Sequence, residues 1–287
     1  YHITFLSVAN LHFLTGVFLH FITGADSSYF YQRTAQSEPD KHLCLRTKVK
    51  EIFADNHARY GYRRKHAALN SQGITVSEKV VRCIMKQEQL HVPLKKRRAY
   101  RSYLGEITPA VDNIIARDFH ADAPNKKWLT DLTEFSIPAG KVYLSPIIDC
   151  FDGLVVSWTI GPSPNAQLVN KMLDCAICDL REDEKPVIHS DRGCHYRWPG
   201  WISRMENAGL TRSMSKKGCS PGNSACEGFF GRLKNEMFYN RSWQDVSIEE
   251  FILSLDEYIQ WYNEKRIKLS LGAMSPLEYR RNLGLVA

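Results

Sequence analysis

The 287-residue sequence has no internal repeat and no low-complexity tract, so no repeat architecture organises it. A disulfide framework is missing too. The eight cysteines are irregularly spaced, in a chain large enough to build its cores without covalent staples. Cys175 and Cys178 lie one turn apart inside an apparent helix, where packing is the expected reason, and no second pair completes a zinc site. A reducing, cytoplasmic setting is therefore expected. Charge is absent from Tyr1 to Ala25, an apolar run almost long enough to cross a bilayer. Asn10 and the histidines His2, His12 and His20 weigh against a span, and there is no cationic start of the kind a signal peptide has. A packing helix or a non-native extension is expected over residues 1–24, with no membrane role. The chain opens without methionine, so its true beginning is expected to be missing or read in another frame.

What the chain does contain is the balance of a globular protein, 44% hydrophobic and 24% charged residues, enough for two or three modest domains. The charge is uneven. From Lys41 to Arg101 there are 16 Lys and Arg against 4 Asp and Glu, a balance of +12 that leaves −5 for the rest of a chain totalling +7. A basic block followed by a mildly acidic body suggests a polyanion-binding module joined to something else.

The basic block reads as helices. Leu45, Val49, Ile52 and Phe53 form one stripe of an amphipathic helix over 44–57. A second helix, "YGYRRKHAALNSQG", is closed by Gly73, and a third opens at Ser77, a good N-cap, with Val76 and Val81 placed as a hydrophobic staple. The short turn between them gives a helix-turn-helix pattern. Val81, Ile84 and Met85 are expected inside, while Lys79, Arg82 and Lys86 project as the cationic row a recognition helix needs. Arg63 and Arg64 on the second helix, and Lys95, Lys96, Arg97 and Arg98 beyond the third, are further candidates for phosphate contacts.

From Lys126 the rhythm turns to strands. "KKWLTDLTEFSI", "KVYLSPIIDCFDG" and "LVVSWTIG" are rich in β-branched and aromatic residues; then come a helix holding Cys175, a short strand "PVIHSD" and a helix "GWISRMENAGL". This is an α/β layer structure with a mixed sheet. Asp131 falls in the middle of the first strand, where an acid needs a reason, and Asp191 just past the end of the fourth, where such sheets bind ligands. His189 reads as a satisfied strand-end histidine rather than a base. Ser224-Ala225-Cys226-Glu227 fits a capping box, so Glu227 either starts a helix or holds a ligand. Phe230, Leu233 and Met237 continue that helix as a core stripe, and Glu227 and Lys234 share one face.

Thirty-five residues separate Asp191 from Glu227, and Lys234 follows Glu227 by seven positions. With "WLTDLTEF", "HSDRGCHY", "SMSKKG", "EGFFGRLKNE" and "WYNEKRIKLSLGAMSPLEY", this arrangement resembles the D,D(35)E signature of retroviral-integrase-like transposases. More narrowly it resembles the second-frame product of bacterial insertion sequences of the insertion-sequence-three family, over about residues 25–281. The resemblance implies a ribonuclease-H-like mixed sheet flanked by helices, preceded by an all-α helix-turn-helix domain. It implies a metal-dependent transposase that cuts element ends and joins their 3′-hydroxyls to target DNA. Asp131, Asp191 and Glu227 would hold two Mg²⁺ ions, with Mn²⁺ as substitute, Asp131 bridging both; Lys234 and Asn235 would meet backbone phosphate. The implied partners are double-stranded DNA (terminal inverted repeats and target), further copies of the chain, and an upstream-frame protein, in a bacterial cytoplasm at the nucleoid.

The expected organisation is an atypical segment 1–24, a helical DNA-binding domain 25–100, a linker 101–125, a catalytic core 126–240 and a helical extension 241–287. Gly222 departs from the family's Asp in the phrase before Ser224, and the upstream frame is absent. Two alternatives therefore stand: a nuclease of the same fold without strand transfer, and an inactive remnant acting as a DNA-binding regulator.

Overall fold

A computed structural model of the chain describes residue 40 and residues 42–92, 111–215 and 223–285. The apolar segment 1–24, the cations Lys95, Lys96, Arg97 and Arg98, and Gly222 lie outside the described residues. The chain divides into two compact units, 1–51 and 52–287. Among the described residues no helix is long and apolar enough to cross a membrane.

Helix α1 (Leu43–Asp55) precedes α2 (Tyr62–Ser71) and α3 (Glu78–Gln87). Gly73 takes a left-handed φ of +76° just past α2, the conformation that a side chain disfavours. Ser77 caps α3 by accepting the Val80 amide. Val81, Ile84 and Met85 are buried, as the stripe requires, and Lys79, Arg82 and Lys86 are exposed.

One buried cation has no sequence signal. Lys65 on α2 is fully buried, its ammonium 3.9 Å from the centre of the Phe53 ring and without a hydrogen-bond partner. Burial lowers it to about 8. The charged form therefore costs stability at pH 7, and that cost disappears as pH rises from about 8 through the unfolded value near 10.5. Lys65→Met is expected to stabilise the protein by about 1 kcal/mol at pH 7, net of the lost ring contact, and by nothing near pH 10.5. Thermal melts at the two pH values check it.

The mixed sheet contains β1 (Lys127–Thr130), β2 (Thr133–Ile137), β3 (Gly140–Asp149), β4 (Val155–Gly161), β5 (Val187–Ser190) and β6 (Thr211–Met214). β1 and β2 lie end to end along one edge of β3, with β4 on its other edge; β5 then pairs parallel to β1, and β6 parallel to β5. This is the ribonuclease-H-like mixed sheet that the resemblance implied. The single strand expected around Asp131 is in fact two. Thr130 pairs with Ile147 and Thr133 with Leu144, so the same register would set Asp131 opposite Pro146, which has no N–H to offer a ladder. The Leu132 amide donates to the Asp131 carboxylate, 2.7 Å away. Asp131 thus sits at a strand end, not mid-strand.

Helices α4 (Ala166–Cys178) and α5 (Pro199–Asn207) cover one face of the sheet, where Trp128, Ile147, Met172, Ile188, Trp201 and Met205 share a core. Cys175 and Cys178 are exposed on α4, so the packing role expected of them fails: the buried face runs through Val169, Met172, Leu173 and Ala176. Helices α6 (Ser224–Leu233), α7 (Ile248–Glu264) and α8 (Pro276–Asn282) follow β6. The segment expected as linker packs on β6 from residue 111 onward, where Ile114 donates to Ser213 Oγ and Ile115 is buried. Arg280 of α8 is held by the buried carboxylates of Asp149 and Asp152 at the end of β3, at 2.8 and 2.6 Å.

Candidate active site

Parallel pairing of β1 with β5 sets Lys127 beside Val187 and Leu129 beside His189, an offset of 60. Carried two residues further, that offset brings Asp131 level with Asp191, on neighbouring strands about 4.8 Å apart. Residues remote in the chain become neighbours because each ends a parallel strand of the same sheet. The two are held alike: the Leu132 amide donates to Asp131 Oδ1 and the Gly193 amide to Asp191 Oδ1 at 2.8 Å. A Cβ at Gly193 would sit 2.8 Å from that same oxygen, which explains glycine there.

The electrostatics are those of crowded acid. Burial raises the Asp131 carboxyl above the usual carboxylate range, Asp191 raises it further and Glu227 adds to this, against the Leu132 amide and Lys234. Burial also raises Asp191, opposed by the Gly193 amide and by His195 and His189. Nearby, Cys226 is fully buried and its thiol is pushed up by burial and by all three acids.

Glu227 is exposed on the first turn of α6. The expected capping box does not form. Asn223, not Ser224, holds the cap position, without a side-chain cap bond; its buried side-chain N–H donates to the Thr130 carbonyl at 3.3 Å, and its Oδ1 has no hydrogen-bond partner among the described residues. That bond ties the start of α6 to the end of β1 and leaves Glu227 unspent. Among the described residues no group of three or more Asp, Glu, His or Cys side chains is gathered closely enough to hold one ion. The fold thus pairs Asp131 with Asp191 and leaves Glu227 on the exposed side, within electrostatic reach of Asp131. The donors are hard carboxylate oxygens whose repulsion a divalent cation would relieve, so the residues present fit such an ion.

The other candidates divide. Lys234 joins the acids: its ammonium donates to the Glu134 carbonyl at 2.9 Å and lies 5.1 Å from the Phe135 ring centre. Burial lowers its pKa, while Glu134 and Asp131 support the charge. Asn235 turns away, giving its amide to the Gly231 carbonyl. Arg64 is ion-paired with Glu236 at 3.2 Å, whereas Arg63 is exposed and lies, with Arg82, beside the Tyr62 ring. His189 is satisfied, its ring nitrogens within 2.9 and 3.2 Å of Ser213 Oγ and Ser215 Oγ. Asn223 and Gly193 carried no signal of their own, since their roles rest on contacts that only the folded sheet creates.

Three family models match: "Integrase core domain" over residues 121–220, a second "Integrase core domain" over 227–283 and "HTH-like domain" over 40–98. The putative transposase InsK for insertion sequence element IS150 of Escherichia coli K12 is 40% identical, over 88% of this chain and 89% of that one. This chain belongs to the insertion-sequence transposases. Another member, the probable transposase for element IS1353 of Shigella flexneri, is 62% identical over 92% of this chain; the chain spans about half (51%) of that relative's length. Among solved structures, the simian T-cell lymphotropic virus intasome complexed with PP2A regulatory subunit B56 gamma matches with a TM-score of 0.45 and 17% identity, over 77% of this chain and 70% of that one. The integrase core and the helix-turn-helix-like module of this transposase family are thus both present in the chain.

Proposed function

We propose that the chain is a metal-dependent DNA transposase that cuts the ends of its element and joins the freed 3′-hydroxyls to target DNA. The observation carrying this reading is the β1–β5 register, which levels Asp131 with Asp191 at adjacent parallel strand ends. Asp131, Asp191 and Glu227 would hold Mg²⁺, two ions per site, with Mn²⁺ as substitute. Such ions supply activation of the attacking oxygen and neutralisation of charge on the leaving oxygen. The protein's own work is orientation. The Leu132 and Gly193 amides each occupy one carboxylate oxygen, Oδ1, and leave Oδ2 without a hydrogen bond from the described residues. Glu227, exposed on the first turn of α6, has three side-chain torsions through which it would turn inward to complete the set. Lys234, fixed over Phe135, offers its remaining N–H donors to a scissile-strand phosphate.

Lys79, Arg82 and Lys86 on α3, with Arg63, form the exposed cationic row that meets duplex DNA at the element's terminal repeats. Lys95, Lys96, Arg97 and Arg98, four cations in a row in the sequence, are proposed as further phosphate contacts. The chain works as a homo-oligomer on DNA, with an upstream-frame protein as a further partner. Supplying pre-cleaved duplex ends bearing a 3′-hydroxyl, with a second duplex and Mg²⁺, tests the reading: joined product is expected, and its loss on chelation. Nicking without joining would mean a nuclease; duplex binding with neither would mean a regulator. Either outcome overturns the transposase reading.

A further inference from the structure

A second site lies away from the acids. Between the helical module and the turn that follows α6 is a cavity of about 450 Å³, lined by Arg59, Arg64, Arg232, Arg241 and Arg266 against a single acid, Glu236. Glu236 is already spent. It accepts two bonds from Arg266, at 2.9 and 2.7 Å, and one from Arg64 at 3.2 Å. Three guanidinium groups are left over. Arg232 and Arg241 stand exposed at the rim, and no acid pairs with them among the described residues.

Arg59 is the more telling. It is 7% exposed and held against the Tyr258 and Trp261 rings, 4.8 and 4.4 Å from their centres. Its Nε donates to the Glu236 carbonyl, yet its Nη1 is buried without any hydrogen-bond partner. A buried donor on a charged group, on the wall of a cavity, calls for an acceptor. Burial holds Arg59 down to about 10, with Arg241 and Arg266 adding to this, and burial, Arg59 and Arg241 lower His57 on the same wall. The wall is strained as well: His57 and Ala58 both take left-handed φ, +52° and +61°.

Planar guanidinium forks match phosphate oxygens in geometry and charge. We propose that this cavity is a binding site for a backbone phosphate of DNA, gripped between the helical module and the catalytic core. The proposal rests on the DNA-acting reading above, but not on catalysis.

The test measures equilibrium binding of a fluorescent random-sequence duplex to the full chain across a salt series. Arg232→Gln and Arg241→Gln, both at exposed positions and so expected to fold, should each weaken binding roughly three- to tenfold and flatten the log–log salt slope by about 1. Lys171→Gln, an exposed charge on α4, is the control for net charge and should do neither. Wild-type affinity and slope in both arginine variants would overturn the proposal, as would an equal effect at Lys171. Inorganic phosphate is the second arm. If it raises the melting midpoint of wild type but not of the variants while duplex binding is unchanged, the site serves free phosphate and the DNA assignment falls. No strand cutting is read, so an Asp131→Asn background serves equally, and a chain that never cuts DNA leaves this result standing.

Discussion

Asp131→Asn, Asp191→Asn and Glu227→Gln are each expected to lower strand cutting by at least about 10³-fold while duplex binding survives. The size follows from the role. Loss of an outer-shell partner of a metal ligand costs about 10–100-fold, and loss of a ligand itself should exceed that. Amide replacements keep shape and remove charge, so the fold is not at stake. Asp131 and Asp191 are both raised by burial, and the neutral variants should melt no lower than wild type without metal. With Mg²⁺ added the order should invert, since an ion bound only by the folded wild type stabilises it by mass action. Nicking assays on element-end DNA, with melting curves at several Mg²⁺ concentrations, check both halves. Cutting retained in any one variant removes that residue from the site.

The second large effect is structural. Glu236, in the π-helical turn Lys234–Phe238, is the hub of a buried network: Arg266 and Arg64 donate to it, and so does the Tyr258 hydroxyl at 2.9 Å. Close by, Tyr60 spans the same junction, donating to the Lys265 carbonyl and accepting the Ile267 amide. These bonds help make residues 52–92 one compact unit with the core. Burial alone would push the Glu236 carboxyl up, but Arg266 and Arg64, with Tyr258, hold it down to about 2. A carboxylate with a depressed folded value contributes stability that is fully present above its unfolded value near 4.5 and is lost as pH falls towards 2. That contribution is about 3 kcal/mol. Glu236→Gln leaves the Arg266 guanidinium, 2% exposed, without a counter-charge, so a loss of about 3–5 kcal/mol is expected at pH 7. The difference from wild type should shrink below pH 4.5. Urea titrations at pH 7 and pH 3 check it, and equal losses at both would remove Glu236 from its role as charged hub.

Much of this was legible in the chain because the information is local. The Ser77 cap, the Gly73 turn and the buried stripe of Val81, Ile84 and Met85 follow from neighbours within a helical turn or two, and all three are present in the fold. The strand β6 was missed, since Thr211-Arg212-Ser213-Met214 is short, polar and without apolar alternation; only its place beside β5 makes it a strand. The capping box misled for a related reason. Its residues are all present, but the bond from the Asn223 side chain to the Thr130 carbonyl, 93 positions away, accompanies a helix that starts one residue earlier, with Asn223 at the cap and Ser224 already inside the first turn.

The sequence by itself determined which residue types are available and where several of the helices start and stop: three acids at set spacings, a basic helical block, alternating strands. Only the tertiary structure decided which of these meet. A 60-residue separation becomes adjacency because β1 and β5 run parallel in one register, and Asp131 ends a strand because Pro146 lies across from it. The reason is physical: periodicity and capping depend on atoms a few residues apart, whereas sheet register is set by the packing of the whole layer, which no short stretch of chain contains.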